Sequence, residues 1–183
     1  MSNNVKAKER ILILFSGGFD STLLLEMAIK LDYDPVLITF RYDQIHLEEV
    51  AVGKKFAENR FNHIILEVVL GSSVLTGVDV KYDGVSEYHV PSRNLTFISL
   101  AASQAESLGI SKIWYGANYA DRENLFPDCY QEWLIQLNEL LKINGSRPIK
   151  VEAPLLGMSK DTIIKLANSY GITKDKVYSG YGI

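Results

Sequence analysis

Ile11-Leu12-Ile13-Leu14-Phe15-Ser16-Gly17-Gly18-Phe19-Asp20-Ser21-Thr22 is the stretch that decides the fold. An unbroken apolar run from Ile11 to Phe15 is the pattern of a strand covered on both faces. Two glycines follow, where the backbone can adopt positive φ and approach a ligand closely. Leu24, Leu25, Ala28 and Leu31 then recur at helical spacing, which predicts a helix over 21–31.

Outward from this unit, the same alternation repeats. Apolar runs predict strands over 35–40, 62–70, 112–116 and 149–152. Periodic stretches predict helices over 46–59, with Val50, Phe56 and Ala57 inward, and over 94–108, with Ile98, Ala101, Ala105 and Leu108 on one stripe. Gly109 ends the latter helix. Two more are predicted over 130–143 and 159–170, the last capped by Ser159 and stopped by Gly171. Residues 71–92 have no period and read as an irregular excursion, and 118–128 as a polar loop. Strands alternating with helices predict a parallel, five-stranded, doubly wound α/β sheet of Rossmann type, formed as one domain over 1–183. Ligands of such sheets bind beyond the carboxyl ends of the strands, near the topological switch point.

Composition narrows the classes. The 183 residues are 47% hydrophobic and 22% charged, which argues against a disordered chain. Nineteen Lys and Arg against 22 Asp and Glu give a formal charge of −3, so bulk charge attracts neither nucleic acid nor anionic membrane. No apolar run approaches the ~20 residues of a membrane span, and residues 1–10 lack the features of a signal peptide. Cys129 is the only cysteine, which excludes an internal disulfide and any CxxC site. These features predict a cytoplasmic protein.

The turn after the first strand has the chemistry of an anion cradle. Ser16 and Ser21 supply hydroxyls, Gly17 and Gly18 supply approachable backbone, and the following helix aims its first N–H groups at the same place. The GxxxxGK(S/T) and GxGxxG spacings are both absent. Asp20 would repel bare phosphate, which points to a bridging Mg²⁺. A plain strand-to-helix turn accounts for Gly-Gly alone, but not for all of SGGFDST.

This loop resembles the pyrophosphate loop of the N-type ATP pyrophosphatases, which cleave ATP between the α and β phosphates and adenylate a substrate oxygen. Further segments narrow the resemblance. They are Phe40-Arg41-Tyr42-Asp43-Gln44-Ile45-His46, Val90-Pro91-Ser92-Arg93-Asn94, Gly116-Ala117-Asn118 with Asp121 and Phe126-Pro127-Asp128-Cys129, and Ala153-Pro154-Leu155 with Ser159-Lys160. In this order they resemble the 7-cyano-7-deazaguanine synthases of the queuosine pathway, over most of the chain.

The resemblance implies a ligase using ATP, Mg²⁺, ammonia and 7-carboxy-7-deazaguanine, acting as a homodimer with no direct nucleic-acid partner. It implies that Ser16, Gly17, Gly18, Ser21 and Thr22 hold pyrophosphate, that Asp20 positions Mg²⁺, and that Gly116 admits the adenine. Arg93 would hold the substrate carboxylate or the α-phosphate, and Asp121 or Asp128 the purine-like edge. Tyr42, Gln44, His46 and Asn94 would line the substrate, and Lys160 would neutralise phosphate charge. Each has a plainer alternative: a surface histidine for His46, a helix-start ion pair for Arg93, a surface lysine for Lys160. The family's closing Cys…CxxCxxC zinc motif has no counterpart here, where Gly180 falls near its first cysteine, so zinc is not expected. Other amidating or thiolating ligases of the superfamily, and a non-catalytic nucleotide-binding module completed by a partner, are the alternative readings.

Overall fold

The computed structural model describes residues 7–42, 60–69, 92–119 and 126–172. Strands β1 (Arg10–Leu14), β2 (Asp34–Arg41), β3 (Asn62–Glu67), β4 (Lys112–Trp114) and β5 (Lys150–Glu152) form one sheet, in the order β3-β2-β1-β4-β5. Every pairing is parallel, with Leu12 opposite Val36 on one side and Ile113 on the other. Helices α1 (Phe19–Lys30), α2 (Arg93–Leu108), α3 (Gln131–Asn144) and α4 (Lys160–Ser169) cover it.

The continuous apolar run of β1 is explained by burial on both faces. Leu12 joins Ile98, Ala101, Leu137 and Leu141 of α2 and α3. Ile11 and Ile13 point the opposite way, into Leu24, Ala28, Ile163 and Ala167 of α1 and α4. Each such buried side chain stabilises the fold by roughly 1.5–3 kcal/mol relative to exposure. The sheet is doubly wound, as the alternation predicts.

Element ends depart from the sequence reading for local reasons. Helix α1 begins at Phe19 and ends at Lys30, and Leu31, expected inward, is 59% exposed at its C-cap. Leu108, expected on the buried stripe of α2, is 39% exposed, because it is the last helical residue before Gly109 turns the chain with φ 68°. Strand β3 stops at Glu67 rather than 70, and Val69 is solvent-exposed. Ser159 caps α4 as expected, its Oγ accepting the Thr162 N–H at 3.4 Å. The outer edge at β5 is closed by Asn138 of α3. Its amide donates to the Val151 carbonyl at 3.0 Å and accepts the Val151 N–H at 2.9 Å, pairing an edge that would otherwise be open. The helix expected over 46–59 and the excursion over 71–91 lie outside the described residues. Among the described residues, no helix is long and apolar enough to cross a membrane.

Candidate functional site at the switch point

From β1 the chain runs outward to β2 and β3, then returns to place β4 on the other side of β1. The segments leaving β1 and β4 therefore part in opposite directions and open a crevice between them. After β1, Gly17 takes φ 87°, a conformation that a side chain disfavours. The turn is tied internally. The Gly18 N–H donates to Ser16 Oγ at 3.1 Å, and the Ser21 hydroxyl donates to the Gly18 carbonyl at 3.0 Å. With that hydrogen committed, Ser16 is the donor in its 3.2 Å bond to Ser21 Oγ.

Gly18 is the N-cap of α1, and no side chain supplies a cap hydrogen bond to its leading N–H groups. The helix thus presents its leading N–H groups and the positive end of its dipole to the crevice. Thr22, also expected to hold pyrophosphate, is buried, and its N–H donates to the Gly18 carbonyl at 3.0 Å.

Asp20 lies in that first turn. The buried Asn118, four residues beyond the end of β4, donates from Nδ2 to Asp20 Oδ2 at 3.1 Å. Gly116 makes this approach possible: a Cβ there would stand 3.3 Å from Asp20 Cβ and 3.9 Å from Leu24 Cδ1. Burial pushes the Asp20 carboxyl up to about 6, against the Asn118 hydrogen bond and the positive charge of Lys160, which favour ionisation. The segment after β4 and the first residue of α4 thus act on one carboxyl group in the first turn of α1.

A second group forms where β2 ends and α2 begins. Arg93 donates to the Tyr42 hydroxyl at 3.3 Å, and Asn94 donates from Nδ2 to Asp128 Oδ2 at 2.6 Å. Asp128 sits in a single 3-10 turn, Pro127–Cys129, whose backbone is pinned by the Tyr115 hydroxyl donating to the Asp128 carbonyl at 2.8 Å. Burial, and secondly the Asp128 charge, push the Tyr115 phenol above its ordinary range, so it serves as a donor. The structure thus unites Tyr42, Arg93, Asn94 and Asp128 from three separate segments. Gln44, His46 and Asp121 lie outside the described residues. Asn118 received no role from its sequence; the only signal was its place in Gly116-Ala117-Asn118 just past a strand. Among the described residues, no cluster of three or more His, Cys, Asp or Glu is arranged to hold a metal.

Comparison with known proteins places this geometry in a family. The family model for queuosine biosynthesis protein QueC matches residues 10–183. The chain is 34% identical over 187 residues to a 7-cyano-7-deazaguanine synthase of Ralstonia pickettii, covering 91% of this chain and 83% of that protein. It is 32% identical over 195 residues to the 7-cyano-7-deazaguanine synthase of Solidesulfovibrio magneticus, covering 96% and 83%. Among solved structures, a predicted subunit of tRNA methyltransferase from Methanocaldococcus jannaschii superposes with a TM-score of 0.58 at 22% identity, covering 87% of this chain and 74% of that one. At that identity the likeness speaks to the fold alone. The two synthases and the family match carry the assignment: the chain belongs to the QueC family of queuosine biosynthesis proteins.

Proposed function

We propose that this protein is an ATP-dependent ligase that converts 7-carboxy-7-deazaguanine and ammonia into 7-cyano-7-deazaguanine, releasing AMP and pyrophosphate. The observation that carries the reading is the switch-point cradle: two serine hydroxyls, a glycine turn and an uncapped helix start, beside a carboxyl held by Asn118. The names of the relatives support the product.

The cradle suits a triphosphate because hydroxyls and helix-end amides can be exchanged from internal bonds to phosphate oxygens. The hard carboxylate oxygen of Asp20 suits Mg²⁺, which when bound would neutralise phosphate charge. Ser16, Gly17, Gly18, Ser21 and Thr22 then hold the departing pyrophosphate, and Lys160 adds a positive charge. Gly116 borders the adenine. Arg93 orients the substrate carboxylate or the α-phosphate, while Asp128 or Asp121 accepts from the N–H edge of the deazaguanine. Tyr42, Asn94, Gln44 and His46 complete that side.

The substrate carboxylate attacks the α-phosphorus of ATP, forming an acyl-adenylate and expelling pyrophosphate. Ammonia displaces AMP to give the amide. The amide oxygen then attacks the α-phosphorus of a second ATP, expelling a second pyrophosphate, and loss of AMP with the remaining N–H proton leaves the nitrile. The working unit in this reading is a cytoplasmic homodimer of single domains, following the family resemblance.

Mass spectrometry of purified protein with ATP, Mg²⁺, ammonium and 7-carboxy-7-deazaguanine tests the reading. A nitrile with AMP is the expected result. Accumulated amide would mean that only the first activation operates. Neither product nor AMP would overturn the proposal, in favour of another substrate or a partner-completed module.

A further inference from the structure

Thr39 carries a hydroxyl into the apolar layer beneath α1, on the same face of β2 as Leu37, and is only 3% exposed. A hydroxyl so buried needs partners. It has two, on the strands either side. Thr39 Oγ1 donates to the Phe15 carbonyl, and His63 Nε2 of β3 stands 2.8 Å from the same oxygen. A hydroxyl has one hydrogen, so with that hydrogen on Phe15 the threonine must accept from His63, whose Nε2 therefore bears a proton. The result is a directional chain across three strands, from His63 through Thr39 to the Phe15 carbonyl. The Phe15 and His63 rings also meet edge-on, with centroids 6.2 Å apart, which fixes the imidazole.

The end of that chain is one residue before the pyrophosphate cradle. The Phe15 N–H donates to the Ile38 carbonyl at 2.8 Å, so both backbone groups of Phe15 are turned toward β2. The paired register of β1 and β2 ends at Leu14 and Ile38, which leaves the plane of the next peptide to other constraints. All described peptides are trans, and in a trans peptide the C=O and the following N–H point in opposite directions. Holding the Phe15 carbonyl toward β2 therefore aims the Ser16 N–H toward β4, where the crevice opens.

We infer that His63 and Thr39 are positioning residues for the cradle, fixing the Phe15–Ser16 peptide so that the Ser16 N–H is presented to a phosphate of ATP. This rests on the ATP reading above. Neither residue touches the ligand; both act through the backbone. Past Ser16 the backbone of Gly17 and Gly18 imposes little orientation of its own, so the strand side adds to the hold that the Ser16 hydroxyl exerts within the turn.

The test uses four variants of the full chain. Thr39→Val keeps the shape and removes the hydroxyl, and Thr39→Ser restores it. His63→Leu removes the donor, and His63→Gln supplies an amide N–H at similar reach. Three quantities are measured: binding of radiolabelled ATP by equilibrium dialysis, the rate of pyrophosphate release with its split into kcat and KM for ATP, and the melting temperature. Thr39→Val and His63→Leu are expected to weaken ATP binding and pyrophosphate release on the order of tenfold or more, the scale of a misplaced contact. The effect falls on ATP and leaves KM for the second substrate in place, while Ser and Gln recover most of the loss.

Wild-type ATP binding in Thr39→Val would overturn the positioning role while leaving the ATP reading intact. So would equal loss in Val and Ser, or losses that simply follow the melting temperature. Absence of ATP binding in the wild-type protein would overturn both readings together.

Discussion

At the amino end of β4, charge is satisfied; beyond the carboxyl end of β1, in the first turn of α1, one carboxyl group is held off balance. Lys112, the first residue of β4, donates to the Tyr33 hydroxyl at 2.6 Å, pairs with Glu9 at 3.4 Å and lies over the Tyr33 ring. The hydrogen bond to Tyr33, the Tyr33 charge and Glu9 all hold the ammonium above its ordinary range, outweighing its partial burial. Beside it, Arg10 caps the end of α2 through the Leu108 carbonyl. At the other end of the same sheet, burial pushes the Asp20 carboxyl from 3.8 to about 6, and Asn118 and Lys160 only partly relieve it. The contrast separates groups that stabilise the fold from a group kept at a cost to it, and unfavourably placed charge is characteristic of sites that act on ligands.

The largest effect that would break this contrast is expected at Asp20. Asp20→Asn should lower pyrophosphate release by on the order of a thousandfold while making the protein more stable. The sign follows from linkage. An acid raised in the folded state ionises first in the unfolded chain, so its contribution to stability declines as pH rises from 3.8 to about 6 and stays lost above. Asparagine removes that penalty. After allowance for partial solvent exposure the gain is on the order of 1–2 kcal/mol at pH 7.5, read by denaturant unfolding. Ser16→Ala should lose comparable activity without gaining stability, which isolates the carboxyl as the source of the gain. An Asp20→Asn protein less stable than wild type would break the comparison.

A smaller effect sharpens it. The pH dependence of kcat/KM for ATP reports the free protein, so activity should fall as pH drops through about 6 and Asp20 takes up its proton. Asn118→Leu removes a hydrogen bond that favours the carboxylate, and the acid limb should move to higher pH. An unmoved limb would detach Asn118 from Asp20.

The smallest effect belongs to the amino end. Lys112→Met should cost about 1 kcal/mol or less and leave pyrophosphate release unchanged. Because the folded Lys112 is raised above 10.5, its stabilisation is present below that pH and disappears as pH rises through the folded value. Any loss of activity in this variant would mean that the two ends are coupled.

Much of this was legible from the residues in order. Parallel strands buried on both faces write themselves as unbroken apolar runs, which is why Ile11 to Phe15 located β1 and the cradle together. The exposed Leu31 and Leu108 show the limit at helix ends, where the apolar period runs on although the last residue or the C-cap has lost its packing partner. Contacts across the sheet were not legible. Asn118 reaches Asp20 over 98 residues, and Thr39 and His63 sit inside strands where their polar atoms break no local rule. Only the register of β1, β2 and β3 brings that chain to Phe15. The pairing of Asn94 with Asp128 likewise needed the fold, although both residues stood in motifs quoted from the sequence.

The most direct test of the proposed chemistry follows oxygen. 7-Carboxy-7-deazaguanine labelled with ¹⁸O in both carboxylate positions is turned over with ATP and ammonium, and the AMP is analysed by mass spectrometry. Two successive adenylations predict that each carboxylate oxygen leaves on a phosphate, so every AMP formed on the way to the nitrile carries one ¹⁸O. Unlabelled AMP, or ADP in place of AMP, would contradict the account.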